Sequence, residues 1–317
     1  GWPTSGQRPA ALEPAGRGSL LPAASGYTHP MDTTNAPAAD RRNAGLAGTL
    51  AAFAAYGMWG LFPLYWKRLS SVDALQILCH RIVWSALLTL ALLVLRKGGL
   101  KELHGLARSG KRLAAAALAS VLISVNWGLY IWAVNSGKVA DSSLGYFINP
   151  LLSIALGAIF LGERLDRGTK TAVAVATLGV AFAGFYSGRL PWISLALAGT
   201  FGFYGLVKKK AGLDPLLGLA AETLIAAPFA LAWLVLEHGA GRGAFGSPAN
   251  GGGGVETAML FLAGLVTALP LLAFAFAANR IPLQRLGFIQ YLSPTGQLAL
   301  GLLVYGEHRE LGRVIAF

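Results

Sequence analysis

The sequence predicts an all-α polytopic membrane protein made of two inverted five-helix repeats, with the tenth helix truncated. Three observations predict it. Hydrophobic residues make up 55% of the 317 positions and charged ones 13%, at a mean hydropathy of +0.56, whereas a soluble domain carries about 25% charged residues. Apolar runs of about twenty residues, enough to cross a bilayer as a helix, recur with short connections. The chain also matches itself: Pro150 with Pro294, Ala155-Leu156-Gly157 with Ala299-Leu300-Gly301, and Gly162-Glu163 with Gly306-Glu307, all 144 residues apart. Matches in constant register mark a duplicated unit.

Residues 1–44 are rich in Pro, Ala, Gly and Ser without a sustained apolar run, which reads as a disordered tail rather than a signal peptide. Met31 opens MDTTNAPAADRRN as a natural start would, so the part before it is expected to be non-native. Nine apolar segments follow: Gly45–Trp66, Ala74–Leu95, Leu113–Val134, the stretch closed by Gly162-Glu163, Lys170–Ser187, the shorter Pro191–Val207, Pro215–Leu236, Glu256–Ala278 and Leu286–Tyr305. A tenth helix is expected to start near Leu311. The first repeat then covers 45–188 and the second 189–317. Gly57-Met-Trp-Gly-Leu61 against Gly202-Phe-Tyr-Gly-Leu206, and Asn135 against Asn279, extend the match.

Net charge is +12. In a membrane chain this reads as basic loops rather than nucleic-acid binding, because cytoplasmic loops carry excess Lys and Arg. The tail and the loops after segments two, four, six and eight hold eighteen of the 26 basic residues. The N-terminus is therefore expected in the cytoplasm, and repeats of five segments insert with opposite orientations, a plan common among secondary transporters. The glycine-rich loop Gly239–Gly254 falls on the other side and reads as a flexible connector. Cys79 lies inside an apolar run and reads as a small core residue.

No enzymatic constellation, metal spacing or phosphate-cradling Gly-Lys loop occurs, so no cofactor, metal or direct ATP drive is expected. Glycine pairs such as Gly199, Gly202 and Gly205, or Gly184 and Gly188, suit close helix packing. Polar groups at membrane depth are more informative, since they are costly in lipid and usually face an interior. Arg81, beside His80 in the second segment, is either a fixed positive charge lining a cavity or a snorkelling side chain. Glu222 aligns with Arg81 in the opposite repeat. It reads as a partner for Arg81 across the repeat axis, as the group that would bind and release a coupling proton, or as a member of an ordinary interior ion pair. Asn126, Trp127, Tyr130, Tyr146, Asn149 and Gln290, with Tyr291 and Gln297, complete the candidates, against packing as the plain alternative. Pro150 and Pro294 each free a backbone carbonyl one turn earlier. Glu163 reads as a helix-end anchor.

Several runs resemble one family. SLGYFINPLLSIALGAIFLGER, AAYGMWGLFPLYWK, HRIVWS, NWGLYIWAVN, FYGLVKKK, ALPLLAFAFAANR and LGFIQYLSPT occur in order between about residues 45 and 310. They are similar to the EamA-type drug/metabolite transporters and, more narrowly, to their RarD-like, chloramphenicol-sensitivity branch. The resemblance implies ten helices in two inverted repeats, a bacterial inner (plasma) membrane location and a permease role. It supplies neither a substrate nor a catalytic residue set. The expected function is a permease moving a small metabolite or amphiphile through a cavity lined by Arg81, Asn126, Trp127, Tyr146, Asn149, Glu222 and Gln290. Its partners are the lipid bilayer and a small-molecule substrate, with proton coupling through Glu222. The competing expectation is a non-transporting membrane partner or regulator, or an intramembrane enzyme.

Overall fold

Apolar side chains on all sides of a helix bury well only among other helices or in lipid, and the chain folds accordingly. The computed structural model describes residues 1, 38–135, 139–186 and 192–304. Among them every regular element is helical: α1 (Ala38–Trp66), α2 (Ala74–Leu95), α3 (Gly99–Ala107), α4 (Gly110–Asn135), α5 (Val139–Leu161), α6 (Arg167–Tyr186), α7 (Trp192–Ala211), α8 (Pro215–Gly239), α9 (Gly254–Ala278), α10 (Leu283–Gln290) and α11 (Leu292–Leu303), with single 3-10 turns at Lys67–Leu69 and Pro248–Asn250. Helices α1, α2, α4, α8 and α9 are long and apolar enough to cross a membrane. Ile159, Leu178 and Phe229 stay more than two-thirds exposed, as side chains facing lipid tails would. The protein is an all-α, multi-pass membrane protein. The expected disordered tail, the Gly184–Gly188 pair and the tenth helix fall wholly or partly outside the described residues.

Local signals set the helix ends. Asp73 and Asp214 cap α2 and α8, accepting hydrogen bonds from backbone N–H groups of the first turn, which would otherwise lack partners. Gly162, at φ +67°, ends α5 in the left-handed conformation that glycine tolerates. The Glu163 N–H then closes back on the Gly157 carbonyl at 3.1 Å. The ninth apolar segment is not one helix. It is broken at Tyr291 into α10 and α11, three residues before Pro294, whose missing N–H leaves the Gln290 carbonyl without its helical donor. Pro150 occupies the equivalent place in α5 without interrupting it. Helix α3 in the basic loop was not anticipated. It is amphipathic and lays Leu103 and Leu106 on a small core with Leu93, Ala116 and Leu217.

The closest helix neighbours are α5 with α7 and α10, α2 with α8 and α9, α4 with α7, and α1 with α9 and α11. Helices α2 and α8 run antiparallel, because Arg96 at the end of α2 meets Asp214 at the start of α8 at 2.7 Å. That end of the bundle also gathers the loops after α5 and α9. Glu163 accepts from the N–H groups of Leu283 and Gln284 at 2.8 and 2.9 Å, capping α10, and Asn279 donates to the Leu213 carbonyl.

At the opposite end, the glycine-rich loop is a packed cap rather than a flexible connector. The Gln76 side chain donates to the Arg242 carbonyl and accepts from the Ala244 N–H, both at 2.8 Å. Asn250 ties the carbonyls of Gly241 and Gly243, and Phe245 stacks on His80. A Cβ on Gly252 would collide with the Ala244 carbonyl, so this glycine serves close approach, not mobility. Removing the buried amide by Gln76→Ala is expected to expose the loop, since two lost buried hydrogen bonds cost on the order of 1–3 kcal/mol. Tryptic cleavage after Arg242 should rise about tenfold, and an unchanged rate would refute the tie.

Candidate functional site

Arg81 lies seven residues into α2, about 10 Å from its start at 1.5 Å per residue. Its guanidinium carbon is 4.7 Å from the centre of the Trp66 ring and 4.4 Å from that of Trp127. Cation–π contact holds it against both indoles. Nε donates to Thr267 Oγ1 of α9 at 2.9 Å. Tyr130 of α4 and Tyr146 of α5 lie close enough to act electrostatically on it, and their rings meet edge to face with centres 5.8 Å apart. Helices α1, α2, α4, α5 and α9 thus converge on one cation.

Among the described residues no carboxylate lies within ion-pair distance of Arg81, and Thr267 is its one hydrogen-bond acceptor. Its terminal nitrogens are not among the sealed, unpartnered atoms, which are Trp84 Nε1 and Asn149 Oδ1. An unpaired charge at membrane depth costs a few kcal/mol. Asn149 sits one turn beyond Tyr146 on the same face of α5, buried, with its amide oxygen orphaned.

Glu222 is elsewhere. It accepts from Lys208 Nζ at 2.7 Å and from Tyr204 Oη at 3.1 Å, all three buried, so the reading as an interior ion pair is the one seen, and the pairing with Arg81 does not form. The reason is geometric. Arg81 and Glu222 each lie eight residues past a capping aspartate, Asp73 or Asp214, but the two helices start at opposite ends of the bundle. The side chain that meets Thr223, at 3.3 Å, is Thr89, about 12 Å further along α2 than Arg81. Beside the ion pair lies a crevice of about 10 Å³ lined by Lys208, Glu222, Asn279 and Leu213, room for one water. Between the two polar sites, Trp59, Phe201, Tyr204 and Phe274 pack ring against ring at 5.6–6.0 Å.

Of the residues expected to line a cavity, the structure brings together Arg81, Trp127 and Tyr146. Asn126 donates to the Leu197 carbonyl at 2.9 Å and Thr200 Oγ1 at 2.8 Å, tying α4 to α7. Gln290 Oε1 faces the hydroxyls of Tyr56 and Ser153, each at 3.5 Å, and Gln297 donates to the Trp59 carbonyl. Trp66, Thr267 and Lys208 were missed. Trp66 reads as a span end and Thr267 hides in an apolar run. Lys208 counts as loop charge, although its spacing of four from Tyr204 puts both on one helical face.

The fold and this site define a multi-pass helical membrane protein with a cation enclosed among aromatic rings. The family model described as "EamA-like transporter family" matches residues 46–185. A protein named "Uncharacterized transporter YojE" from Bacillus subtilis (strain 168) is 44% identical over 85% of this chain and 89% of its own length. "Protein RarD" from Streptomyces exfoliatus is 48% identical over 82% of this chain and 81% of its own. The chain belongs to the EamA-like transporter family. A solved crystal structure shares the fold at TM-score 0.62 and 18% identity, covering 81% of this chain and 89% of the other.

Proposed function

We propose that the protein is an inner-membrane permease with a cytoplasmic N-terminus, moving a small metabolite or amphiphile by alternating access between two inverted five-helix repeats. The observation that carries this is the Arg81 guanidinium, without a carboxylate partner among the described residues, held at membrane depth by Trp66 of α1, Trp127 of α4 and Thr267 of α9. Packing alone gives no reason to keep an unpaired charge there. The reciprocal pattern of neighbours supports the repeats: α1 packs on α9 and on α10–α11, as α7 packs on α4 and on α5. The Gln76-tied cap would close one end of the pathway and the Lys208–Glu222 pair the other, with the aromatic layer between them.

Proton coupling through Glu222 is part of this reading, supported by the water-sized crevice beside it. The test compares metabolites inside and outside cells with and without the protein. It also probes Asn149→Cys, in a Cys79→Ala background, with a water-soluble thiol reagent. A redistributed compound and a labelled cysteine are expected. No redistribution with a protected cysteine would point to a packed, non-transporting membrane partner. For coupling, transport by the doubly neutral Lys208→Met, Glu222→Gln variant should lose its pH dependence, and a wild-type pH profile would remove Glu222 from that role.

A further inference from the structure

We infer that Arg81 anchors the carboxylate of the transported molecule, a monoanion with an aromatic or apolar body. The inference rests on the permease reading and names its substrate class. Three features of the cluster lead to it. The guanidinium carbon sits 4.7 and 4.4 Å from the ring centres of Trp66 and Trp127, and Nε donates to Thr267. Nε is therefore engaged, and the terminal N–H groups have no acceptor among the described residues. An edge of parallel N–H donors matches a planar two-oxygen acceptor bidentately.

The charge count points to one negative unit. Arg81 is a single cation with no carboxylate within ion-pair distance among the described residues. A carboxylate balances it, whereas a phosphate monoester would bring up to two charges to one guanidinium. The surroundings point to the rest of the molecule. Tyr130 and Tyr146 pack edge to face beside it with ring centres 5.8 Å apart, and a phenol can donate to a carboxylate oxygen. The remaining walls are rings, which suit an aromatic or apolar body better than a sugar or a polyol.

The test uses the full chain in lipid nanodiscs with radiolabelled benzoate as the probe. Benzamide serves as its neutral isostere, benzylammonium as the cation and phenyl phosphate as the other oxyanion. Saturable benzoate binding is expected. Arg81→Gln should weaken it at least tenfold, and Arg81→Lys several-fold, because a point charge replaces the planar fork. Arg81→Lys keeps the test valid if Arg81→Gln fails to fold. Benzamide and benzylammonium should compete only at concentrations at least tenfold higher than benzoate.

The inference is overturned if folded Arg81→Gln and Arg81→Lys both bind benzoate within twofold of the parent, if benzamide competes equally, or if phenyl phosphate binds tenfold tighter. Asn149→Cys labelling in the same preparation separates this failure from that of the permease reading. A labelled cysteine with no benzoate binding overturns the carboxylate assignment alone. A protected cysteine with no binding overturns both.

Discussion

Glu222→Gln is expected to destabilise the protein by about 3 kcal/mol or more, the usual cost of leaving one partner of a buried ion pair alone. Lys208 would remain buried beside Tyr204 with no carboxylate. Lys208→Met should cost a similar amount by stranding Glu222. The double variant Lys208→Met, Glu222→Gln should recover most of the loss, since a buried ion pair replaced by neutral groups is often tolerated. Thermal unfolding in detergent of the four chains of this cycle measures the coupling. Additive losses in the double variant would mean that the two groups do not depend on each other. The same cycle keeps the structural role apart from transport, because the double variant offers a folded protein in which proton coupling can be assayed.

Gly264→Ala should be the second large effect, at about 1–3 kcal/mol for overpacking a close helix contact. A Cβ there would lie 2.5 Å from the Trp84 carbonyl carbon and Cβ and 2.8 Å from the Ser85 nitrogen. Neither helix backbone can give way locally, so α2 and α9 must part. Ser85 Oγ, which donates to the Gly264 carbonyl at 3.0 Å, would be drawn away with them. Thr267 stands one turn beyond Gly264 and Arg81 one turn before Ser85. The same separation should therefore lengthen the Arg81–Thr267 contact and weaken function together with stability. Gly199→Ala is the control: a Cβ there meets nothing within 4 Å, and alanine in a helix interior should stabilise by roughly 0.5–1 kcal/mol. Equal unfolding temperatures for the two variants would remove the packing argument.

The sequence by itself determined where most of the helices run, though not α3 or the break at Tyr291, because apolar runs and the N-cap aspartates Asp73 and Asp214 act within a few residues of where they stand. The stop at Gly162 was legible for the same reason, and so was the burial of Cys79. Arg81 could be singled out because a charge in an apolar run is conspicuous wherever the fold puts it. What surrounds it could not be read. Trp66, Trp127, Tyr146 and Thr267 come from four other helices, and spacing along one chain does not say which helix faces which. The Glu222 pairing shows the limit most sharply. Alignment gave Arg81 and Glu222 the same place in their helices, yet antiparallel packing of α2 on α8 sends them to opposite ends of the bundle. The loop before α9 went the same way: glycine content suggests freedom, while contact with Gln76 and Phe245 decides that the backbone packs closely there. Local chemistry fixes elements, and only tertiary packing decides which polar groups meet.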